Sequence, residues 1–175
     1  MVPNESKRIV IGGLDWNAVV AAGLISGFTM LIISILLPWI FLSDPFLIVR
    51  IMASVLLGPS VISPQAGLVP GIYVVAILTH FFLSIFFAML IVLIFHRWGM
   101  IVAFIGGAVM GFVIYFMNYY TFSLVFPWLL PYHTWMLLTG HIVFGALVGT
   151  LYELFEDEHF VDQQFFKRPT SSYTL

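Results

Sequence analysis

Charge is what this chain has least of: 6 Lys and Arg and 8 Asp and Glu among 175 residues, 8% charged against 62% hydrophobic. A water-soluble domain carries about a quarter charged residues, so this composition excludes an ordinary hydrated surface and fits one that faces lipid. A net charge of −2 leaves no basic field to attract nucleic acid, which is excluded as a partner. Cysteine is absent, and with it disulfides, thiolate nucleophiles, iron–sulfur ligation and Cys-based zinc sites. The length suits one domain, so the apolar segments share a single intramembrane core.

What is there, instead, is long apolar runs. A helix needs ~20 mostly apolar residues to cross ~30 Å of hydrocarbon. Four stretches qualify, at about 16–42, 70–96, 99–126 and 134–154, none with Lys or Arg inside it. The first is too long for the core of a signal peptide and runs through Leu36–Leu37–Pro38–Trp39 without a small-residue cleavage site, so it reads as a retained helix. The fold class expected is an all-α integral membrane bundle of four transmembrane helices, with residues 1–155 as the membrane domain and 156–175 as a cytoplasmic tail.

The few basic residues set the orientation, because positively charged loops stay on the cytoplasmic side. Lys7 and Arg8 precede the first span, Arg97 lies between the second and third, and Lys167 and Arg168 follow the fourth. Those five share one side and Arg50 alone falls on the other, which places both termini in the cytoplasm. Trp16 and Trp98 at the inner span ends, with Trp39, Trp128 and Trp135 at the outer ends, form the matching aromatic belts.

Between the first two spans, Asp44 is a candidate N-cap, Pro45 suits the first helical position and Gly58–Pro59 is a stop. A short outer helix over 45–57 follows, too short to span, so it lies in the interface or is re-entrant. Arg50 then either snorkels to lipid phosphates or is buried and functional. The stretch from Pro59 to Pro70 shows no helical period and reads as an outer loop. The tail after Phe155 is expected to skirt the membrane as a helix and then become disordered.

The spans also echo one another. Gly23-x-x-x-Gly27-Phe28 in the first matches Gly107-x-x-x-Gly111-Phe112 in the third. His80-x-x-x-Ser84-x-x-x-Ala88 in the second aligns with His141-x-x-x-Gly145-x-x-x-Gly149 in the fourth, with Thr79 and Thr139 shortly before the histidines. Two hairpins of similar design, parallel repeats about an axis along the membrane normal, are one reading. Small residues four apart that let helices approach closely are the other.

Polar side chains within the spans are few. Asp, Glu, Lys and Arg are missing from the span centres, which removes a proton relay, an ion-coupled pump, a Ser–His–Asp set and an HExxH helix, and points to a non-enzyme. His80 and His141 remain, at similar depth on helices running the same way. They read either as axial ligands of a b-type haem, with Arg50 on a propionate, or as hydrogen-bonding glue between helices. Two histidines are too few for zinc or copper without His133, which lies in the outer loop, so no metal is expected. Asn118–Tyr119–Tyr120–Thr121 is the densest polar cluster, and Asn118 and Tyr119, with Thr79 and Thr139, are candidates to line a ligand pocket beside the histidines; interface anchoring is the alternative.

His80–Phe81, Asn118–Tyr119–Tyr120–Thr121–Phe122, Phe126–Pro127–Trp128 and His141–Ile142–Val143–Phe144–Gly145 together resemble a group of small four-span bacterial inner-membrane proteins. Some members are labelled sodium:proline symporters, but true symporters of that kind have many more spans and broken helices around a midplane ion site. The resemblance implies a multi-pass protein of the bacterial inner membrane and no particular activity, substrate or cofactor. The functional expectations are a self-associating bundle or an accessory subunit of a larger membrane complex; a haem-carrying electron carrier using His80 and His141; or a small transporter or channel, against which the apolar helix centres speak.

Overall fold

The computed structural model describes residues 10–11, 14–67, 69–96, 98–132 and 134–156. A short antiparallel ladder of β1 (Val10–Ile11) and β2 (Leu14–Asp15) leads into α1 (Trp16–Leu42), followed by α2 (Leu47–Leu57), α3 (Pro70–Phe95), α4 (Met100–Val125) and α5 (Trp135–Phe155). α1, α3, α4 and α5 are each long and apolar enough to cross a membrane, with α2 as a shorter apolar helix between the first two. The chain is an all-α, four-span membrane bundle, and span boundaries read from hydropathy fall within a residue of the observed ones. The tail beyond Glu156, Arg97 and His133 lie outside the described residues.

Local chemistry fixes the helix ends. The Asp15 carboxylate accepts the N–H groups of Asn17 at 2.9 Å and Ala18 at 3.1 Å, satisfying two of the donors that a helix start leaves open. α1 stops at Ser43, whose left-handed φ of 57° turns its N–H back to the Pro38 carbonyl. Thr134 caps α5 by accepting the Leu137 N–H. Gly99, with φ of 79°, makes the sharp turn that lets α4 fold back on α3.

Two expectations for the outer segment need correction. The short helix starts at Leu47 rather than Pro45. Asp44 does not cap it but closes a turn onto the Phe46 N–H at 3.3 Å while its other oxygen binds Arg50. Arg50 does not snorkel to the lipid: it is 5% exposed, donating through Nε to the Ile62 carbonyl at 2.9 Å and through Nη2 to Asp44 Oδ2 at 2.5 Å. The loop read as irregular contains 3-10 turns at Pro59–Ile62 and Pro64–Ala66, and Arg50 ties α2 to the first of them.

Backbones meet where the small residues lie. A methyl group on Gly107 would land on the Gly145 carbonyl, one on Gly111 on the His141 carbonyl, and one on Gly149 on the Ala103 carbonyl, so α4 and α5 pack backbone to backbone. In the other hairpin Gly23 faces the Ser84 carbonyl and Ala88, while Gly27 faces Ser84. Positions that align in sequence therefore meet in the same register: Gly23 with Ser84 as Gly107 with Gly145, and Gly27 with Ser84 as Gly111 with Gly145. α1 also packs along α5, with Gly140 against Met30 and Ile33 and the Tyr152 hydroxyl accepting the Asp15 N–H at 3.3 Å. α3 and α4 behave differently. Although consecutive, they touch little; near their shared turn the Phe95 ring covers Gly106, and from there they part.

Candidate functional site

The parting of α3 and α4 leaves a half-open cavity of about 150 Å³ towards the end of the bundle that carries α2. α3 contributes Thr79, His80, Leu83, Ser84 and Phe87; α4 contributes Ile114, Tyr115, Asn118, Tyr119 and Phe122; Leu137, His141 and Phe144 of α5 close the back. Met30 of α1 enters from the side, and Ile51, Met52 and Val55 of α2 with Leu129 and Tyr132 form the end wall. Leu129 and Tyr132 belong to the 3-10 turn Pro127–Tyr132. That turn is joined to α2 by the Trp128 indole N–H donating to Ser54 Oγ at 3.3 Å. The end of the bundle is thus walled over, while the side between α3 and α4 is not.

Both histidines line this one cavity, and their hydrogen bonds define their tautomers. His80 Nε2 lies 2.8 Å from the Gly27 carbonyl on α1, and His141 Nδ1 lies 2.8 Å from the Leu137 carbonyl in its own helix. A carbonyl only accepts, so each of these nitrogens carries the proton and, in a neutral imidazole, the other nitrogen is a lone-pair acceptor. The remaining nitrogens, Nδ1 of His80 and Nε2 of His141, have no hydrogen-bond partner among the described residues, and both residues line the cavity. A methyl group on Gly27 would collide with the Ser84 side chain. Ser84 packs on it there and returns its own hydroxyl to the His80 carbonyl at 2.8 Å.

The tyrosines hold the wall. Tyr115 donates to the Thr134 carbonyl at 3.3 Å and Tyr119 to the Leu130 carbonyl at 2.8 Å, so α4 is pinned to the segment before α5, and the Tyr115 ring meets His141 edge-on at 5.6 Å. Asn118 and Thr79 line the cavity without a hydrogen-bond partner among the described residues. Among the described residues no charged side chain lines it, which suits an uncharged guest.

Of the residues singled out from sequence, His80, His141, Asn118, Tyr119 and Thr79 come together here. Thr139 does not: it donates to the Trp135 carbonyl at 2.9 Å, and two residues from His141 it points ~200° around the helix. Arg50 is outside the lining and bound to Asp44. Sequence reasoning missed Tyr115, although Tyr115, Asn118, Tyr119 and Phe122 follow the one-face helical spacing; it also missed Ser84 as lining and the α2 wall. The two imidazoles do share a cavity, as a haem pair would require. Its volume, however, matches that of an engineered cavity that holds benzene, not a macrocycle, and Arg50 is already paired away from a propionate. Among the described residues no three His, Asp or Glu side chains could hold a metal ion together. Comparison with known proteins finds no matching family model, curated protein or solved structure.

Proposed function

We propose that this is a non-enzymatic protein of the bacterial inner membrane, with both termini cytoplasmic, that binds an uncharged amphiphile whose ring-sized head enters from the lipid between α3 and α4. The observation that carries this reading is the parting of those helices around a closed-ended cavity bearing His80, Asn118 and His141. Apolar walls with a few convergent polar groups are the usual make-up of a small-molecule site. The small-residue faces are consumed inside the chain, Gly23 and Gly27 on α3, Gly107 and Gly111 on α5. That uses up these faces within the chain and favours ligand binding, alone or as the ligand-holding subunit of a larger complex.

The test is thermal unfolding of the protein in lipid nanodiscs with an alkylphenol or an alkylbenzene of equal tail length. A ligand that binds only the folded state raises the midpoint with concentration. Both compounds should do so, and Leu83→Trp, which fills the cavity, should remove the shift. Absence of any shift, or an equal shift in Leu83→Trp, overturns the reading.

A further inference from the structure

The polar atoms of the cavity say more about the guest than its size does. Resting on the ligand-binding reading above, we infer that the head group is a hydroquinone, and that the site distinguishes this reduced ring from its oxidised quinone. Three observations converge. The cavity of about 150 Å³ is the size that takes one six-membered ring. Among the described residues its lining holds no charged side chain but several aromatic ones, among them Phe87, Tyr115 and Phe144, suited to contact the faces and edge of such a ring. And two polar side chains, one on α3 and one on α5, present acceptors: with Nε2 of His80 donating to Gly27 and Nδ1 of His141 donating to Leu137, the nitrogens left are lone pairs.

A guest meeting two lone pairs must bring two donors. A hydroquinone has two hydroxyl groups at opposite ends of one ring, each able to donate to an imidazole nitrogen. The corresponding quinone has two carbonyl oxygens in the same places, which only accept, and would set lone pair against lone pair while leaving both imidazoles unsatisfied. Ser84 cannot reverse this preference, because its hydroxyl proton is given to the His80 carbonyl, nor can Tyr115, whose hydroxyl donates to Thr134. Asn118 and the Thr79 and Tyr132 hydroxyls each offer both a donor and an acceptor and so serve either form, leaving the discrimination to the histidines. A lipid-soluble tail leaves through the gap between α3 and α4, the side that the α2 and Trp128 wall does not close.

The experiment compares an alkyl-benzoquinol, kept reduced anaerobically, with the alkyl-benzoquinone of the same tail, by midpoint shift and by titration of the intact protein in nanodiscs; an alkylbenzene with that tail reports on the cavity alone. The quinol is expected to bind at least tenfold more tightly than the quinone. His141→Ala should cost the quinol about tenfold, leave the alkylbenzene unchanged and bind the quinone no more weakly than before, narrowing the quinol-to-quinone ratio, since the bond it loses lies within α5. Quinone binding as tightly as quinol, with the alkylbenzene still bound, overturns the inference and leaves the pocket reading standing. No binding by any of the three overturns both. Should His141→Ala lose the alkylbenzene response as well, the quinol-to-quinone ratio of the unaltered protein decides by itself.

Discussion

Two clefts of this bundle occupy equivalent places in its pair of hairpins, and they have opposite fates. The cleft between α1 and α5 is shut along its length: Gly140 admits Met30 and Ile33, and Tyr152 accepts the Asp15 N–H where α1 begins. The cleft between α3 and α4 is shut only beside the Gly99 turn, where Phe95 covers Gly106, and opens beyond it into the cavity. Within the hairpins the registers agree, Gly27 on Ser84 and Gly111 on Gly145. The departure from symmetry between the hairpins is thus what creates the site. A perfectly two-fold bundle would have packed His80 and His141 against helices on both sides.

The largest effect is expected where backbones touch. Gly145→Val puts a branched side chain between the Gly107 carbonyl and the Gly111 nitrogen, against atoms that cannot rotate away, and should exceed the ~1–3 kcal/mol of ordinary overpacking. No monodisperse folded protein should be recovered on size-exclusion chromatography. Gly23→Ala, whose methyl meets the Ala88 methyl at 3.0 Å and the Ile85 Cα at 3.2 Å, should fold with a lowered midpoint. Gly140→Ala, at 3.4 Å from Met30 Cγ, should be nearly neutral. Any other ranking would mean that the helices do not approach one another in this order of closeness.

Next comes Arg50. Its side chain is 6% exposed and that of Asp44 27%, so removing the cation strands a carboxylate and the Ile62 carbonyl. Arg50→Ala should cost about 3 kcal/mol, the lower end for breaking a buried pair because Asp44 keeps some surface. The double variant Arg50→Met with Asp44→Leu should recover part of this, as read from thermal midpoints. Trp128→Phe, which gives up only the hydrogen bond to Ser54, should cost about 1 kcal/mol. It should leave the rate of ligand entry unchanged if the route lies between α3 and α4, whereas entry through the end wall would be speeded.

The four spans were legible because lipid imposes one rule, enough apolar residues to cross, whereas the side-chain caps at Asp15 and Thr134 show only in the structure. The short outer helix was legible to within two residues. It failed at Asp44, because a carboxylate that can cap can equally pair with an Arg six residues on, and sequence spacing does not rank the two. The small-residue pattern showed which faces pack but not which helices they choose, so the closed cleft and the open one looked alike. Five of the seven residues named for a site share the cavity. Thr139 was separable from His141 by helical angle alone. Arg50 was not, since its burial depends on where the Ile62 turn comes to rest.

The smallest effect on stability carries the sharpest contrast. Leu83 is half-buried and faces the cavity, so Leu83→Trp extends into space that is empty of protein. Filling such a space commonly stabilises by ~0.5–2 kcal/mol, and here the gain is offset by whatever rotation the indole needs, leaving a change within about 1 kcal/mol of zero. The matching insertion in the closed cleft, Gly140→Leu, has Met30 Cγ already 3.4 Å from where its first carbon would sit and should fall in the ~1–3 kcal/mol overpacking range. The difference in midpoint between the two variants measures the asymmetry directly. If Leu83→Trp destabilised as much as Gly140→Leu, α3 and α4 would be as tightly packed as α1 and α5, and the cavity would have no standing as a binding site.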